Sequence, residues 1–142
     1  MDLPPPIDLT DRARRFLEGP HVVVVGTTGR DGTPHQVVAW YRLESDDRIL
    51  LNSRSPRRWP EELKADPRCS LAVIDKDDPL RWLGLQGFVE SIVDDVAVAR
   101  EDIVALAYRY DSADPADIAM FRSQERISFR IRIVSLHDHL ED

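Results

Sequence analysis

A cluster of hydrogen-bond donors occupies residues 52–58, which read NSRSPRR. The stretch holds three guanidinium groups, an amide and two hydroxyl groups, and arginine matches a pair of phosphate oxygens with two parallel hydrogen bonds. It falls where a strand is predicted to end and a helix to begin, a place where backbone N–H groups point outward and receive anions. A phosphate site and a solvated basic loop both fit this pattern. Glu61 and Glu62 follow, and they would repel a phosphate if they faced the same way.

The strand before this cluster carries the run VVAWY at residues 37–41. Small apolar residues beside a tryptophan suit the flat face of an aromatic ring system. Such a run is more often part of a protein core, so both interpretations stay open on the residues alone.

Motifs for other chemistries are missing from the sequence. It contains no GxGxxG, GxxxxGK[ST], HExxH or GxSxG pattern, and its four histidines are scattered. No nucleophile, base and orienting acid stand together, so we predict no catalytic side chain and no dedicated metal site. Cys69 is the only cysteine and lies in the apolar run CSLAVI, which predicts a buried, inert thiol.

Hydrophobic patterning predicts six strands and several helices. The strands are expected at residues 21–28, 35–44, 48–53, 69–75, 81–92 and 127–134. Gly84 and Gly87 mark a bulge or a close approach in the fifth strand, and Asp31-Gly32 marks a hairpin. Helices are expected at residues 9–17, from Pro60 to residue 65, at residues 94–110, where apolar residues recur every three or four positions, and at residues 115–123.

This order of elements favours a mainly antiparallel sheet, because the first three strands are joined by tight turns. Closing six strands into a barrel would remove exposed edges. We therefore predict a mainly β protein with helices, a single domain over residues 1–142 with a flexible segment at residues 1–8.

Composition limits the partners. The net charge of −7 disfavours nucleic acid, which needs a surplus of cations. No apolar run reaches the roughly 20 residues of a membrane helix, and the N-terminal MDLPPPIDLTDRARRF lacks a signal-peptide pattern. A cytoplasmic location is expected.

Three stretches in order, VVVGTTGRDGTPHQVVAWYR, RILLNSRSPRRWPEEL and ADPRCSLAVID, resemble the pyridoxamine-phosphate-oxidase-like split β-barrel superfamily, especially its F420-dependent branch. The final RISFRIRIVSLH is similar to the last strand of that family, and the resemblance covers roughly residues 10 to 136. It implies a six-stranded antiparallel split barrel that forms a homodimer with a cofactor at the interface.

The resemblance also implies the site residues. It places the cofactor phosphate at Asn52, Ser53, Arg54, Ser55, Arg57 and Arg58. It places the cofactor ring along Val38, Ala39 and Trp40, with Trp82 approaching from the partner subunit. Three positions depart from the family pattern, since its lysine falls at Trp59, its asparagine at Glu62 and its strand proline at Val38.

Three functions follow as alternatives. The first is an F420-dependent oxidoreductase that transfers a hydride between the deazaflavin and a small electron-poor organic substrate. The second is an FMN-binding oxidoreductase using the same site, and the third is a cofactor-binding dimer without turnover. The substrate is expected to be a small molecule.

Overall fold

The computed structural model describes residues 2–141. These residues form helices and strands in which the strands dominate, as predicted for a mainly β protein with helices. In chain order the elements are α1 (Asp11–Leu17), β1 (Val22–Thr28), β2 (Pro34–Ala39), β3 (Arg42–Leu43), β4 (Ile49–Arg54), α2 (Arg58–Ala65), β5 (Arg68–Ile74), β6 (Trp82–Val93), α3 (Val96–Arg109), α4 (Pro115–Ser123) and β7 (Arg126–His139).

The strands of the described chain make one antiparallel sheet in the order β2-β1-β5-β6-β7-β4-β3. Strands β2 and β3 lie at opposite edges of this sheet, although only Trp40 and Tyr41 separate them in sequence. The chain therefore passes directly from one edge to the other, and the sheet curls into a half-barrel.

The described sheet has seven strands, so the prediction of six is corrected. The difference arises at Tyr41, inside the strand predicted over residues 35–44. Its N–H donates to the hydroxyl of Tyr110 at 3.2 Å, and its carbonyl accepts from Nε of Arg109 at 2.9 Å. Because side chains at the end of α3 satisfy this backbone, the chain leaves β2 and starts β3 without losing hydrogen bonds.

Strand register separates the inner from the outer face of the sheet, because side chains alternate along each strand. One row of directly opposed residues packs into the core: Val37, Val25, Leu71, Leu85 and Leu136. Two flanking rows point outward: Val38, Val24, Ala72, Gly84 and His137 in one, and Gln36, Gly26, Ser70, Gln86 and Ser135 in the other.

We call these ten outward residues the outer face. Six of the ten are exposed and the others are half-buried. With histidine neutral, none carries a formal charge, although 32% of the chain is charged. The outer face is thus an open and uncharged part of the sheet.

The two glycines of β6 behave as predicted. The register of β6 against β7 shifts between Gln86 and Gly87, which is the expected bulge. A Cβ at Gly87 would lie 2.5 Å from Cγ2 of Ile131, so this packing requires glycine. At Gly84 the close neighbour is the ring of Trp82, 3.0 Å from the position of a Cβ.

Two helix starts can be compared with prediction. Thr10 caps α1, accepting a hydrogen bond from the N–H of Ala13 at 3.1 Å. Helix α2 begins at Arg58, which places Pro60 at its third position and corrects the predicted start at Pro60. The third N–H of a helix has no intrahelical partner, so a proline is tolerated there as well.

The described part of the N-terminal segment, which the sequence predicts to be flexible, is hydrogen-bonded to β7. The N–H of Ile7 donates to the carbonyl of Ile133 at 3.0 Å, and Nη1 of Arg132 donates to the carbonyl of Pro4 at 2.9 Å. Cys69 is buried, as expected, and burial raises the pKa of its thiol to about 12. No helix within residues 2–141 has the length and apolar character needed to cross a membrane.

Candidate functional site

A cleft of about 270 Å³ lies in the gap between the β2 edge of the sheet and β4, beside α3 and the start of α2. Its apolar side is formed by Val22, Val38, Ala39, Trp40, Ile103 and Leu106. Its polar end is formed by Asn52, Ser53, Arg54, Arg57 and Arg126, and Trp59 also lines it. One cleft thus combines a flat apolar surface with a group of guanidinium side chains.

Arg126 is the central cation of this polar end. Its residue is only 9% exposed, and its guanidinium lies 5.5 Å from the ring centroid of Phe121. Nε donates to Oδ1 of Asn52 at 3.0 Å, and Nη1 donates to Oε1 of Gln124 at 2.9 Å. Burial, followed by the positive charges of Arg57 and Arg54, lowers the pKa of Arg126 to about 10.

These three arginines have no carboxylate partner within residues 2–141, whereas most other arginines of the described chain pair with Asp or Glu. A buried cation without a counter-ion is costly in a folded protein. Arg54 and Arg57 add two more positive charges nearby. The arrangement is therefore suited to receiving an anion from solution.

Asn52 lines the cleft, but protein groups already occupy its amide. Nδ2 donates to the carbonyl of Ala99 at 2.9 Å and to Oγ of Ser128 at 2.8 Å. Its Oδ1 accepts from Arg126. Both amide hydrogens are engaged, so neither is left to bind a ligand in the cleft.

Trp40 forms a rigid wall on the apolar side. Its ring stacks on Tyr110 with a centroid separation of 5.2 Å and an interplanar angle of 10°. The edge of Phe121 meets the same ring at 6.5 Å. Behind Tyr110, the guanidinium of Arg109 lies 5.5 Å from its ring centroid. This layered packing fixes the plane that Trp40 presents to a ligand.

Trp59 stands where the family pattern has lysine. Its side chain is buried, with its ring 6.1 Å from the ring of Phe129. The residue therefore joins the core to the cleft, and no cation comes from this position. A positive charge in the same cleft comes instead from Arg126, which begins strand β7.

Seven of the ten predicted site residues come together in this cleft: Val38, Ala39, Trp40, Asn52, Ser53, Arg54 and Arg57. Ser55, Arg58 and Trp82 do not line it. Ser55 is tied to the start of β7 by its N–H, which donates to the carbonyl of Glu125 at 2.8 Å. Trp82 lies on the sheet beside the outer face, its ring 5.4 Å from that of His137 and 5.0 Å from that of His139.

Arg58 points away from the cleft because it pairs with Glu62, Nε to Oε1 at 3.3 Å. Glu62 also accepts from Oγ1 of Thr27 at 3.1 Å and contacts Nδ1 of His35 at 2.7 Å. Burial raises the pKa of Glu62, but the hydrogen bonds from His35 and Thr27 and the nearby positive charges outweigh it, so the pKa is lowered. Glu62 is held by these groups and does not line the cleft, so the repulsion that its sequence position suggests does not arise there.

Arg126 is the residue that sequence reasoning missed. It comes 68 positions after Arg58 in the chain, but β4 pairs with β7 so that Arg54 is directly opposite Arg126. The alternating pattern of the last strand indicates its inward face, yet it carries no information about which strand lies beside it. Only the pairing brings this arginine to the cluster at residues 52–58.

Comparison with known proteins identifies the family. The profile of the pyridoxamine 5'-phosphate oxidase family matches residues 9–137. The chain belongs to this family. The expected resemblance to its F420-dependent branch is confirmed by the two relatives that follow.

One curated relative is the F420H2-dependent biliverdin reductase of Mycobacterium tuberculosis, strain CDC 1551 / Oshkosh. It is 28% identical over 110 residues, which cover 75% of this chain and 76% of the relative. A solved structure of an F420 reductase is 27% identical with a TM-score of 0.76, and the match covers 91% of this chain and 98% of that chain.

The fold itself extends to more distant proteins. The structure of HutZ, a heme storage protein from Vibrio cholerae, has a TM-score of 0.69 at 16% identity, covering 93% of this chain and 95% of that chain. At this level of identity the similarity concerns the fold alone.

Proposed function

We propose that this protein is an F420-dependent oxidoreductase that transfers a hydride between the deazaflavin cofactor and a small electron-poor organic substrate. The observation that carries the proposal is the buried Arg126, which meets Arg54 and Arg57 without a carboxylate at one end of an apolar cleft. Membership of the family and the two F420-dependent relatives support the same cofactor class.

The residues of the cleft suit the two ends of such a cofactor. Arg54, Arg57 and Arg126 would hold the phosphate with charge-assisted hydrogen bonds. The ring system would lie against Ala39 and Trp40. When bound, F420 supplies the hydride-transfer chemistry. The chain's own residues bind and orient the ring and keep water from the apolar side of the cleft.

We extend the proposal to a homodimer formed through the outer face. This face is uncharged, and several of its residues are small, so a second copy could approach closely. Val38 belongs to the outer face and also lines the cleft, so the cleft opens at the margin of this surface. A second copy there would cover the mouth of the cleft, which is where Trp82 of that copy is expected to contribute.

FMN is the second candidate because of the charge in the cleft. Three guanidinium groups suit a phosphate monoester, which carries between one and two negative charges near neutral pH. FMN has such a phosphate, whereas the phosphate of F420 is a diester with a single charge. The apolar wall would accept either tricyclic ring.

Equilibrium binding of both cofactors to one preparation tests the proposal. F420 is expected to bind in the micromolar range or tighter, as measured by fluorescence titration. A yellow colour with flavin absorbance after purification would favour FMN instead. Absence of binding for both cofactors refutes the proposed function, and binding without reduction of any electron-poor alkene or imine would favour the non-catalytic alternative.

Two neighbouring arginines offer a matched pair of variants. Arg57→Gln removes a cation from the cleft and is expected to weaken cofactor binding about tenfold, the usual effect of losing one charge-assisted contact. Arg58→Gln also removes a guanidinium group, but this one pairs with Glu62 outside the cleft. Its affinity for the cofactor should stay close to that of the wild type. Equal losses in both variants would place the phosphate elsewhere.

A further inference from the structure

We propose that Asp102, Ser128 and Asn52 form a hydrogen-bonded chain whose role is to aim Arg126 at the cofactor phosphate without neutralising it. The inference rests on the proposed function and deepens it, because it assigns positioning roles to residues from α3, β7 and β4. Neither Asp102 nor Ser128 lines the cleft.

The chain is continuous from one end to the other. Oγ of Ser128 donates to Oδ2 of Asp102 at 2.7 Å and accepts from Nδ2 of Asn52 at 2.8 Å. Oδ1 of Asn52 then accepts from Nε of Arg126 at 3.0 Å. Ser128 is fully buried and Asn52 is 7% exposed, so water does not compete strongly for these bonds.

Each link fixes the direction of the next. The carboxylate of Asp102 can only accept, so the hydroxyl hydrogen of Ser128 points toward it and the lone pairs of Ser128 face Asn52. The carbonyl of Ala99 takes the other amide hydrogen of Asn52. The amide oxygen of Asn52 must then face Arg126, and the guanidinium is held in one orientation.

The same arrangement leaves the charge of Arg126 available. Nε and Nη1 donate hydrogen bonds to neutral amide oxygens, and one face of the guanidinium packs on the ring of Phe121. Within residues 2–141, Nη2 has no hydrogen-bond partner. A carboxylate in place of Asn52 would form an ion pair with the guanidinium and compete with the phosphate. An amide at this position orients the cation and keeps its attraction for anions.

A purely structural role for the chain would give a different result from a positioning role. If the chain only satisfies buried polar groups, breaking it should weaken every ligand of the cleft to the same degree. If it aims Arg126, breaking it should weaken only ligands that carry the phosphate. FMN and riboflavin differ only by that phosphate, so this pair reports on Arg126 directly. F420 and its deazaflavin chromophore differ by the phosphate together with the tail attached to it, so this pair supports the first.

The test measures both pairs of ligands with wild-type protein and four variants. Ser128→Ala and Asn52→Asp are expected to weaken the phosphate-bearing ligand about tenfold and about a hundredfold, respectively, with little change for its phosphate-free counterpart. Asp102→Ala should have a smaller effect of the same kind. Asp102→Asn retains an acceptor for Ser128 and should restore the binding of the phosphate-bearing ligand.

Two outcomes would overturn the inference. One is an equal loss for both members of a ligand pair, and the other is full phosphate-dependent affinity in Ser128→Ala. Thermal unfolding of each variant identifies any that fail to fold. If Ser128→Ala does not fold, Asp102→Ala still tests the inference, because Asp102 is only half-buried and its loss should be tolerated.

A measurement without cofactor separates this inference from the proposed function. In the NMR spectrum of the ligand-free protein, the Nε–H of Arg126 should be protected from exchange in the wild type and in Asp102→Asn, and should lose protection in Ser128→Ala. If the wild type binds no cofactor, the proposed function fails while this result still decides whether the chain holds Arg126. Unchanged protection in Ser128→Ala would show that the hydrogen-bonded chain does not hold Arg126 and would refute the inference.

Discussion

Replacing Arg126 by glutamine should make the ligand-free protein more stable while it weakens cofactor binding. Folding lowers the pKa of Arg126 from the value of a free guanidinium to about 10, mainly through burial and then through Arg57 and Arg54. A shift of this size corresponds to a cost of about 3 kcal/mol for keeping the side chain charged in the folded state. The hydrogen bonds to Asn52 and Gln124 offset part of this cost, at about 1 kcal/mol each.

The net gain expected for Arg126→Gln is therefore about 1 kcal/mol, or a rise in Tm of about 4 °C for a domain of this size. The sign follows from the direction of the shift. A base whose pKa is lowered on folding destabilises the folded state at every pH below that lowered value. The electrostatic part of the difference between wild type and variant should thus be complete below about pH 10 and should shrink as the pH rises above that value.

Differential scanning fluorimetry at neutral pH measures this effect, with Arg57→Gln as the control. Arg57 is exposed, so the same chemical change there should raise Tm much less, only by relieving its repulsion with Arg126. Added pyrophosphate should raise the Tm of the wild type more than that of Arg126→Gln, because the anion supplies the missing counter-charge. A lower Tm for Arg126→Gln without ligand would show that the guanidinium is not under an electrostatic penalty, and the anion-site reasoning would fail with it.

Further tests address the apolar wall, the outer face and the buried carboxylate. Trp40→Leu should weaken flavin or deazaflavin binding about tenfold and leave pyrophosphate binding unchanged, since the stacking surface is lost and the cations remain; equal losses in isothermal titration calorimetry would contradict this. Ala72→Glu places a charge in the middle of the outer face and should convert the proposed dimer to a monomer in analytical ultracentrifugation, whereas an unchanged sedimentation coefficient would exclude that face. The lowered pKa of Glu62 means that its contribution to stability is present above pH 4.5 and is lost as the pH falls through the lowered value. Urea unfolding between pH 3 and pH 7 should show a weaker acid dependence for Glu62→Gln than for the wild type, and identical pH profiles would refute this role.

Sequence patterning predicts most of the elements of this fold, because the physical signals are local. The alternation of the last strand and the Asp31-Gly32 turn each depend on residues that are neighbours in the chain, and both are present in the structure. The break of the second predicted strand could not be found in this way. It depends on Tyr110 and Arg109, which lie about 70 residues from the backbone that they bind.

The candidate site was also predicted only where its signal is local in the sequence. The cluster at residues 52–58 is visible as a motif, and four of its members line the cleft. The directions of adjacent side chains are not visible, and Arg57 and Arg58 face opposite sides of the start of α2. Strand pairing is also needed to bring Arg126 to Arg54. The motif therefore predicts where an anion binds but not which groups surround it.

The crossing at Trp40–Tyr41 also determines where this fold can vary in length. Only two residues connect one edge of the described sheet to the other, so this connection is too short to adjust to a change in length. An inserted residue would move the side chains of β3 to the opposite face and pull Trp40 off Tyr110. Insertions should be accepted instead in surface turns such as residues 29–33 or 111–114. The cleft is then best enlarged for a bulkier substrate by redesigning helix α3, which lines it with Ile103 and Leu106, because the sheet on the other side has a fixed span.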